Sequence, residues 1–542
     1  MQKFKVTFFP DNKVIRVEKD KTILSAAISA GIYLNSNCAG DGTCGKCKVK
    51  VNSGQVKSQA NGIITAKDRE NKVYLACLTT IQSDLEILIP DSSRIDADIQ
   101  TDSIDGDNAL ESVDSLDKNF GFCFDIGTTT ISGQLINLNS KKIIGTKTAY
   151  NQQIAFGSDV ITRIVYAAKT DGLEKLHTAV IDTMNQIIND LVNERKVDLN
   201  NVNSIVCSGN TTMMHLLLNM DPAHLRRQPY IARSDFMPVL NAVKVGININ
   251  PQGLLSCVPG VSNYVGGDTT AGILSSGIYQ EEKPCILIDI GTNGEIVLGN
   301  RDFLIASAAS AGPAFEGSGV TSGMRASGGA IQKLNINKND FSVKYSTIYD
   351  KLPQGICGSG YIDLLSEMLK SGIIDRGGKI KVTGKRIRST ENGKEFVVCF
   401  KEEIKSQADI VINEADIENL KRSKGAIYSA CAILVKHLAL EFSAIAKIFI
   451  AGGFGTYLDI QKAIQIGLLP DLERSKFIFI GNSSLAGSRE ILLSAQAKSM
   501  SDTLASKITY FDLSADSGYM EEYGQALFFP HTDLAKFPTV RY

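Results

Sequence analysis

The sequence predicts an α/β protein in two unequal parts: a small strand-rich head and a large body made of two similar lobes. Three observations carry that expectation. Cys38, Cys44 and Cys47 crowd a glycine-rich loop near the start, and Cys77 follows after a gap of 29 residues. A strand-turn unit, Phe124-Asp125-Ile126-Gly127-Thr128-Thr129, returns as Ile288-Asp289-Ile290-Gly291-Thr292-Asn293. Between the cysteines and the first of these units lies a run of Asp and Ser with little apolar periodicity.

The head reads as follows. Segments 3–9 and 13–17 alternate like strands, and Pro10-Asp11-Asn12 between them is a hairpin signal. Residues 22–30 suit a short helix ended by Gly31. The cysteine loop comes next, then strands at 48–51 and 85–89. A hairpin, a helix, a cluster loop and late strands make the β-grasp ferredoxin pattern, closing near Pro90. The expected domain is 1–91. Residues 92–118 are acidic and polar and cannot bury enough surface to order themselves, so they read as a flexible linker with a short helical piece around 109–116. From Phe120 onward strands and helices alternate, the mark of an α/β architecture. The repeat divides this part into two lobes, with 119–206 as the first lobe or middle domain and 207–542 as the main ATPase region. Residues 408–446 look mainly helical, and 448–451 read as a strand running into Gly452-Gly453.

Composition narrows the function. The chain has 542 residues, 43% hydrophobic and 21% charged, with a net charge of -1, an ordinary globular balance with no basic footprint for nucleic acid. Apolar runs such as 426–435 stop well short of a membrane span. The start of the chain lacks the apolar stretch of a signal peptide, so the expectation is a cytoplasmic protein with neither membrane nor nucleic acid as partner. Eleven cysteines are too many for cytosolic disulfides. Seven of them (Cys123, Cys207, Cys257, Cys285, Cys357, Cys399 and Cys431) are scattered singly among apolar residues and read as buried thiols.

Cys38-x5-Cys44-x2-Cys47-x29-Cys77 can supply the four thiolates of a [2Fe–2S] cluster, three of them from one loop. Gly40, Gly42 and Gly45 allow positive φ and close approach of backbone N–H groups to the sulfides. Zinc or a disulfide is the alternative; zinc sites more often carry two Cys-x2-Cys knuckles, and one is present.

The repeated unit suits phosphate. A strand ending in Asp, then Gly-Thr-Thr or Gly-Thr-Asn, offers N–H and hydroxyl groups to phosphate and a carboxylate to Mg²⁺ or its waters. Two copies after apolar strands resemble the ATPases of the actin, sugar-kinase and heat-shock-chaperone superfamily, whose duplicated ribonuclease-H-like lobes each present one phosphate turn to a shared cleft. Gly452, Gly453 and Phe454 fit the adenosine-contacting motif of that superfamily. Candidate nucleotide contacts are Gly127, Thr128, Thr129, Thr130, Gly291, Thr292, Asn293 and Gly294. Candidate catalytic carboxylates are Asp125 and Asp289, with Asp268 or Glu295 secondary; Asp268 and Glu316 stand beside glycines and could orient a water. Gly266–Thr270, before a helix, could bind an anion.

The ferredoxin-like head, the acidic linker and the motifs Asp-Ile-Gly-Thr-Thr-Thr, Gly-Gly-Asp-Thr-Thr-Ala-Gly, Asp-Ile-Gly-Thr-Asn-Gly-Glu and Gly-Pro-Ala-Phe-Glu-Gly together resemble the reductive activators of corrinoid proteins. The resemblance covers essentially the whole chain. It implies ATP-dependent return of one electron to a corrinoid that has oxidised from Co(I) to Co(II), in an anaerobic methyltransferase system. It also implies a low-potential electron donor, and a homodimer is one assembly to test. Activators of the methylamine branch carry C-terminal cysteine-rich [4Fe–4S] sites; no cysteine follows Cys431 here, so the chain resembles the [2Fe–2S] branch. An activator of another low-potential enzyme and a redox-sensing actin-like module are the competing readings.

Overall fold

The computed structural model describes residues 3–34, 40, 42, 45–90, 93–94, 118–228, 230, 232–291, 293–390, 393–404, 408–452 and 458–541. Three sheets organise them.

In the head, β1 (Lys3–Phe9) and β2 (Lys13–Glu18) form the expected antiparallel hairpin. Helix α1 (Ile23–Ser29) is capped by Thr22, whose side chain accepts from the Ser25 N–H, the usual way of satisfying a first-turn donor. Strands β3 (Lys48–Ser53), β4 (Val73–Leu75) and β5 (Leu85–Leu88) complete a sheet of order β2-β1-β5-β3-β4, with β1 parallel to β5. The alternating inward residues Val6, Phe8, Val49, Val51, Leu85 and Ile87 are almost wholly buried against α1, which is why the period-2 pattern was legible. The linker's expected helical piece lies outside the described residues.

The body begins with β6 (Phe120–Ile126), β7 (Thr130–Asn137) and β8 (Lys142–Tyr150), an antiparallel meander. The long helix α2 (Gly172–Arg195) covers it. On the other side of β6, β9 (Val202–Gly209) runs parallel, followed by β11 (Leu254–Cys257) and, at the edge, β10 (Leu240–Asn241). After α3 (Gly267–Ser276), the pattern recurs. Strands β12 (Cys285–Ile290), β13 (Gly294–Gly299) and β14 (Leu304–Ala309) form a second meander, with β15 (Ile448–Ala451) and β16 (Phe477–Gly481) parallel to β12 on its other side and β17 (Thr509–Tyr510) at the far edge. Five strands follow the same order in both lobes, with the short sixth on opposite edges; this is the duplicated architecture expected from the repeated turn.

Two expectations need correction. The boundary at 206/207 falls inside β9, whose parallel ladder with β6 runs from Val202 to Gly209; hydrogen bonds to both neighbours make that strand inseparable from the first sheet. Residues 408–446 are not mainly helical from their start: Ile410–Asn413 is a strand, and α4 (Glu414–His437) begins only after Asn413, which caps it with Asp416 in a reciprocal box. The β-branched Ile410-Val411-Ile412 run favours the strand, and the cap marks the switch.

Helix α5 (Ser483–Leu493) links the lobes. It packs on α3 and also reaches β6 and β9. The crossing is close because two glycines meet it. A Cβ on Gly272 would stand 2.9 Å from Ser483 Oγ, and one on Gly487 would stand 2.1 Å from the Ala271 carbonyl oxygen. Among the described residues, no helix is long and apolar enough to cross a membrane.

Candidate functional site

A cleft of about 250 Å³ opens where β6 and β12 end side by side. Both repeated turns line it: Asp125, Gly127, Thr128, Thr129 and Thr130 from the first, and Asp289, Gly291, Asn293 and Glu295 from the second. Asp268, Glu316, Arg325, Gly452, Asn482 and Ser484 also line it. Thr292, Gly453 and Phe454 lie outside the described residues, and Gly294 begins β13 just behind the second turn.

The first turn is sterically specified. A Cβ on Gly127 would lie 2.6 Å from the Thr130 carbonyl oxygen, so only glycine lets the chain reverse there. Three side chains then pin the turn from behind. Asn151 Nδ2 donates to the Gly127 carbonyl at 2.9 Å, Asn210 Nδ2 to Thr128 Oγ1 at 3.0 Å, and the buried Arg163 guanidinium to the Thr128 carbonyl. The second turn is looser: a Cβ on Gly291 would meet nothing nearer than 3.7 Å.

The carboxylates occupy different environments. Asp125 accepts from Asn482 Nδ2 at 2.9 Å and Ser484 Oγ at 2.8 Å, both from the start of α5; burial still pushes its carboxyl up. Asp268 sits in the first turn of α3 and accepts the Thr269 N–H at 2.8 Å. Its own carboxylate takes one of the first-turn N–H groups, and its charge disfavours an anion at Gly266–Thr270. Burial, then the nearby Asp125, raise Asp268 to about 6. Asp289 rises to about 7 through burial and the charges of Asp268, Asp125 and Glu316. Glu295 is raised well above the usual range by burial and by Asp268 and Asp289. Recessed acids that repel one another call for a cation. Among the described residues, no three His, Cys, Asp or Glu side chains are grouped to ligate one ion by themselves.

Asn482 and Ser484 escaped the sequence reading. A signal was available: Gly267-Asp268-Thr269-Thr270-Ala271-Gly272 and Asn482-Ser483-Ser484-Leu485-Ala486-Gly487 each follow a strand and end in the Ala-Gly pair that forms the helix crossing.

In the head, Cys47 and Cys77 are buried with sulfurs 3.4 Å apart. Two thiolates about 2.3 Å from one tetrahedral metal stand roughly 3.8 Å apart, so this pair needs little adjustment to share an iron. Gly40, Gly42 and Gly45 have φ of +93°, +76° and +70°, the left-handed conformations expected of the loop. Cys38 and Cys44 lie outside the described residues.

Residues 6–82 match the 2Fe-2S iron-sulfur cluster binding domain family, 120–281 the RACo middle region, and 283–541 the C-terminal domain of RACo, the ASKHA domain. The Corrinoid activation enzyme RamQ of Eubacterium limosum is 30% identical over 94% of this chain and 96% of its own. The chain belongs to the reductive activators of corrinoid proteins. A second relative, the [Co(II) methylated amine-specific corrinoid protein] reductase of Methanosarcina barkeri, is 26% identical over 72% of this activator and 73% of its own length. A solved structure titled "Reductive activator for corrinoid,iron-sulfur protein" superimposes with a TM-score of 0.74 at 39% identity, over 99% of this activator and 100% of the other chain. The activator is thus an iron–sulfur oxidoreductase with a [2Fe–2S] head, and its ASKHA domain suggests ATP binding.

Proposed function

We infer that the chain uses ATP in the interlobe cleft to drive one electron from its [2Fe–2S] head to the Co(II) of a corrinoid protein, regenerating Co(I) for methyl transfer. The observation that carries this reading is the union, in one chain, of a cysteine-bearing β-grasp head with two Asp-ended phosphate turns facing one cleft. The cluster supplies the electron; Cys38, Cys44, Cys47 and Cys77 would hold it. Thr128, Thr129 and Thr130 of the first turn, and Thr292, Asn293 and Gly294 of the second, would contact phosphate, with Gly452, Gly453 and Phe454 toward adenosine.

Mg²⁺ fits the carboxylate arrangement. It is commonly bound by one or two carboxylates together with substrate phosphates and waters, which suits acids that cannot cage an ion unaided. Asp289, for which burial and the neighbouring acids Asp268, Asp125 and Glu316 disfavour a bare charge, would hold the ion or its waters directly. Asp125, already bonded by Asn482 and Ser484, would act through a water and tie the metal site to α5.

ATP is required for an energetic reason. Ferredoxin-type clusters lie near about −400 mV, and for one electron each ~59 mV uphill costs a factor of ten in equilibrium. Cleft closure can couple hydrolysis to the grip on the partner. The partner is a corrinoid protein, here assigned to a methyltransferase system; a low-potential donor would reload the head, in the cytoplasm, with a homodimer as one assembly. The test mixes the reduced protein anaerobically with a Co(II) corrinoid subunit and follows the visible spectrum with and without Mg-ATP. ATP-dependent growth of the Co(I) band is expected. Equal Co(I) formation with and without ATP would remove the ATPase from the mechanism.

A further inference from the structure

Glu316 and Arg325 stand where the two phosphate turns face each other. Glu316 Oε2 accepts from Thr129 Oγ1 of the first turn at 3.4 Å, and Oε1 lies 3.7 Å from where a Cβ on Gly291 of the second would stand. Arg325 Nη2 donates to Glu316 Oε2 at 3.3 Å, and its guanidinium stands 5.3 Å from the Tyr150 ring at the end of β8, in the opposite lobe. Local sequence explains how Arg325 returns to a residue nine positions earlier. Gly317 has φ of +80°, and a Cβ on it would lie 2.4 Å from the Met324 carbonyl oxygen. Only glycine allows that contact, which folds the intervening loop back on itself.

Arg325 is the only Lys or Arg among the described residues lining the cleft, against five carboxylates. The other four are otherwise engaged. Asp125 is bonded to Asn482 and Ser484, and Asp268 to the Thr269 N–H. Asp289 would hold the metal ion or its waters, and Glu295 is its ladder partner on β13. Glu316 differs in that one of its partners is a cation for which a nucleotide's terminal phosphate would compete.

We propose that Arg325 is the cation that meets the terminal phosphate of ATP and Glu316 the carboxylate that orients the hydrolytic water. This rests on ATP occupying the cleft. When the nucleotide enters, the guanidinium exchanges Glu316 for phosphate oxygens. The Glu316 carboxylate, its Arg325 contact exchanged, accepts a proton from the water as the water oxygen bonds to the γ-phosphorus and the bond to the β–γ bridging oxygen breaks. ADP and phosphate leave, the proton passes to solvent, and the Glu316–Arg325 pair re-forms. Because Arg325 also lies over Tyr150, the exchange is felt by both lobes.

The test uses the full-length, cluster-loaded protein and the variants Glu316→Gln, Arg325→Ala and Arg325→Lys. Folding is checked by the cluster spectrum and by ADP binding. Steady-state ATP turnover is measured alongside affinities for ADP and a non-hydrolysable ATP analogue. Glu316→Gln is expected to lower kcat by about 10²-fold or more while binding the analogue at least as tightly, since a negative charge is removed. Arg325→Ala is expected to weaken the analogue about tenfold or more and leave ADP unchanged, with Arg325→Lys restoring part of the loss. Turnover by Glu316→Gln within about threefold of the unmodified enzyme, or equal weakening of ADP and analogue by Arg325→Ala, would overturn the proposal. An unmodified protein that bound neither nucleotide would overturn the reading of the cleft, and this proposal with it.

Discussion

Replacing Gly487 with alanine sets two opposite expectations against each other. In an exposed helix interior, glycine to alanine stabilises by about 1 kcal/mol, because alanine restricts the unfolded chain and shields the backbone. At Gly487 the new Cβ would stand 2.1, 2.6 and 2.7 Å from the carbonyl oxygen, carbonyl carbon and Cα of Ala271. All three are backbone atoms of α3, so no rotamer relieves the overlap and the two helices must separate. Overpacking of this kind costs about 1–3 kcal/mol, and with no flexible group to yield, the upper part of the range applies. After the propensity gain, the net is a loss of about 1–2 kcal/mol. For a lobe-sized unit this lowers Tm by roughly 2–8 °C. Calorimetry of the body transition measures it, with the cluster absorbance reporting separately on the head. Gly524, inside the helix Tyr519–Ala526 with nothing within 4 Å of its Cβ position, is the internal control; Gly524→Ala should raise stability. If Gly487→Ala raised Tm as Gly524→Ala does, the close crossing of α3 and α5 could not be what joins the lobes. Because α5 also carries Asn482 and Ser484 to Asp125, a genuine separation should weaken nucleotide binding at the same time.

Three other outcomes are expected. Cys77→Ser should abolish the visible absorbance of the cluster and corrinoid reduction yet largely preserve ATP turnover, since the head and the cleft are separate sites. In chelator, the acid cluster makes stability fall as pH rises from about 4 to about 7. Asp289, raised from 3.8 to about 7, and Asp268, raised to about 6, bind protons more tightly folded than unfolded, so deprotonation in that window costs stability. Thermal melts across that range should show the slope, and Mg-ATP should flatten it; a melting temperature that rises with pH in chelator would contradict the repulsion. Asn482→Ala should cost about 1 kcal/mol for the lost cap of α5, where Asn482 Oδ1 accepts the Leu485 N–H at 2.8 Å, and should also weaken nucleotide binding by leaving Asp125 one donor short. Equilibrium titration with a fluorescent ADP would measure that second effect.

Much of the fold was legible because it is local. The head's hairpin follows from apolar alternation around Pro10-Asp11-Asn12, and both β6 and β12 follow from apolar runs that stop at Asp-Ile-Gly-Thr. Short strands such as Val56–Ser58 and Thr79–Ile81 carry no period long enough to read. The strand at Ile410–Asn413 was absorbed into the helix after it because four residues are too few to announce a change of period.

The sequence by itself determined the cysteine set, the two phosphate turns and the duplicated plan, since each rests on neighbouring residues and on backbone conformations that glycine alone supplies. Tertiary structure alone decided which side chains the turns would meet. Asn482 reaches Asp125 across 357 positions of sequence and Glu316 reaches Thr129 across 187. No periodicity encodes such distances. They arise when two sheets and the helix between them pack to exclude water, and the glycines at 272 and 487 set how closely that packing can occur.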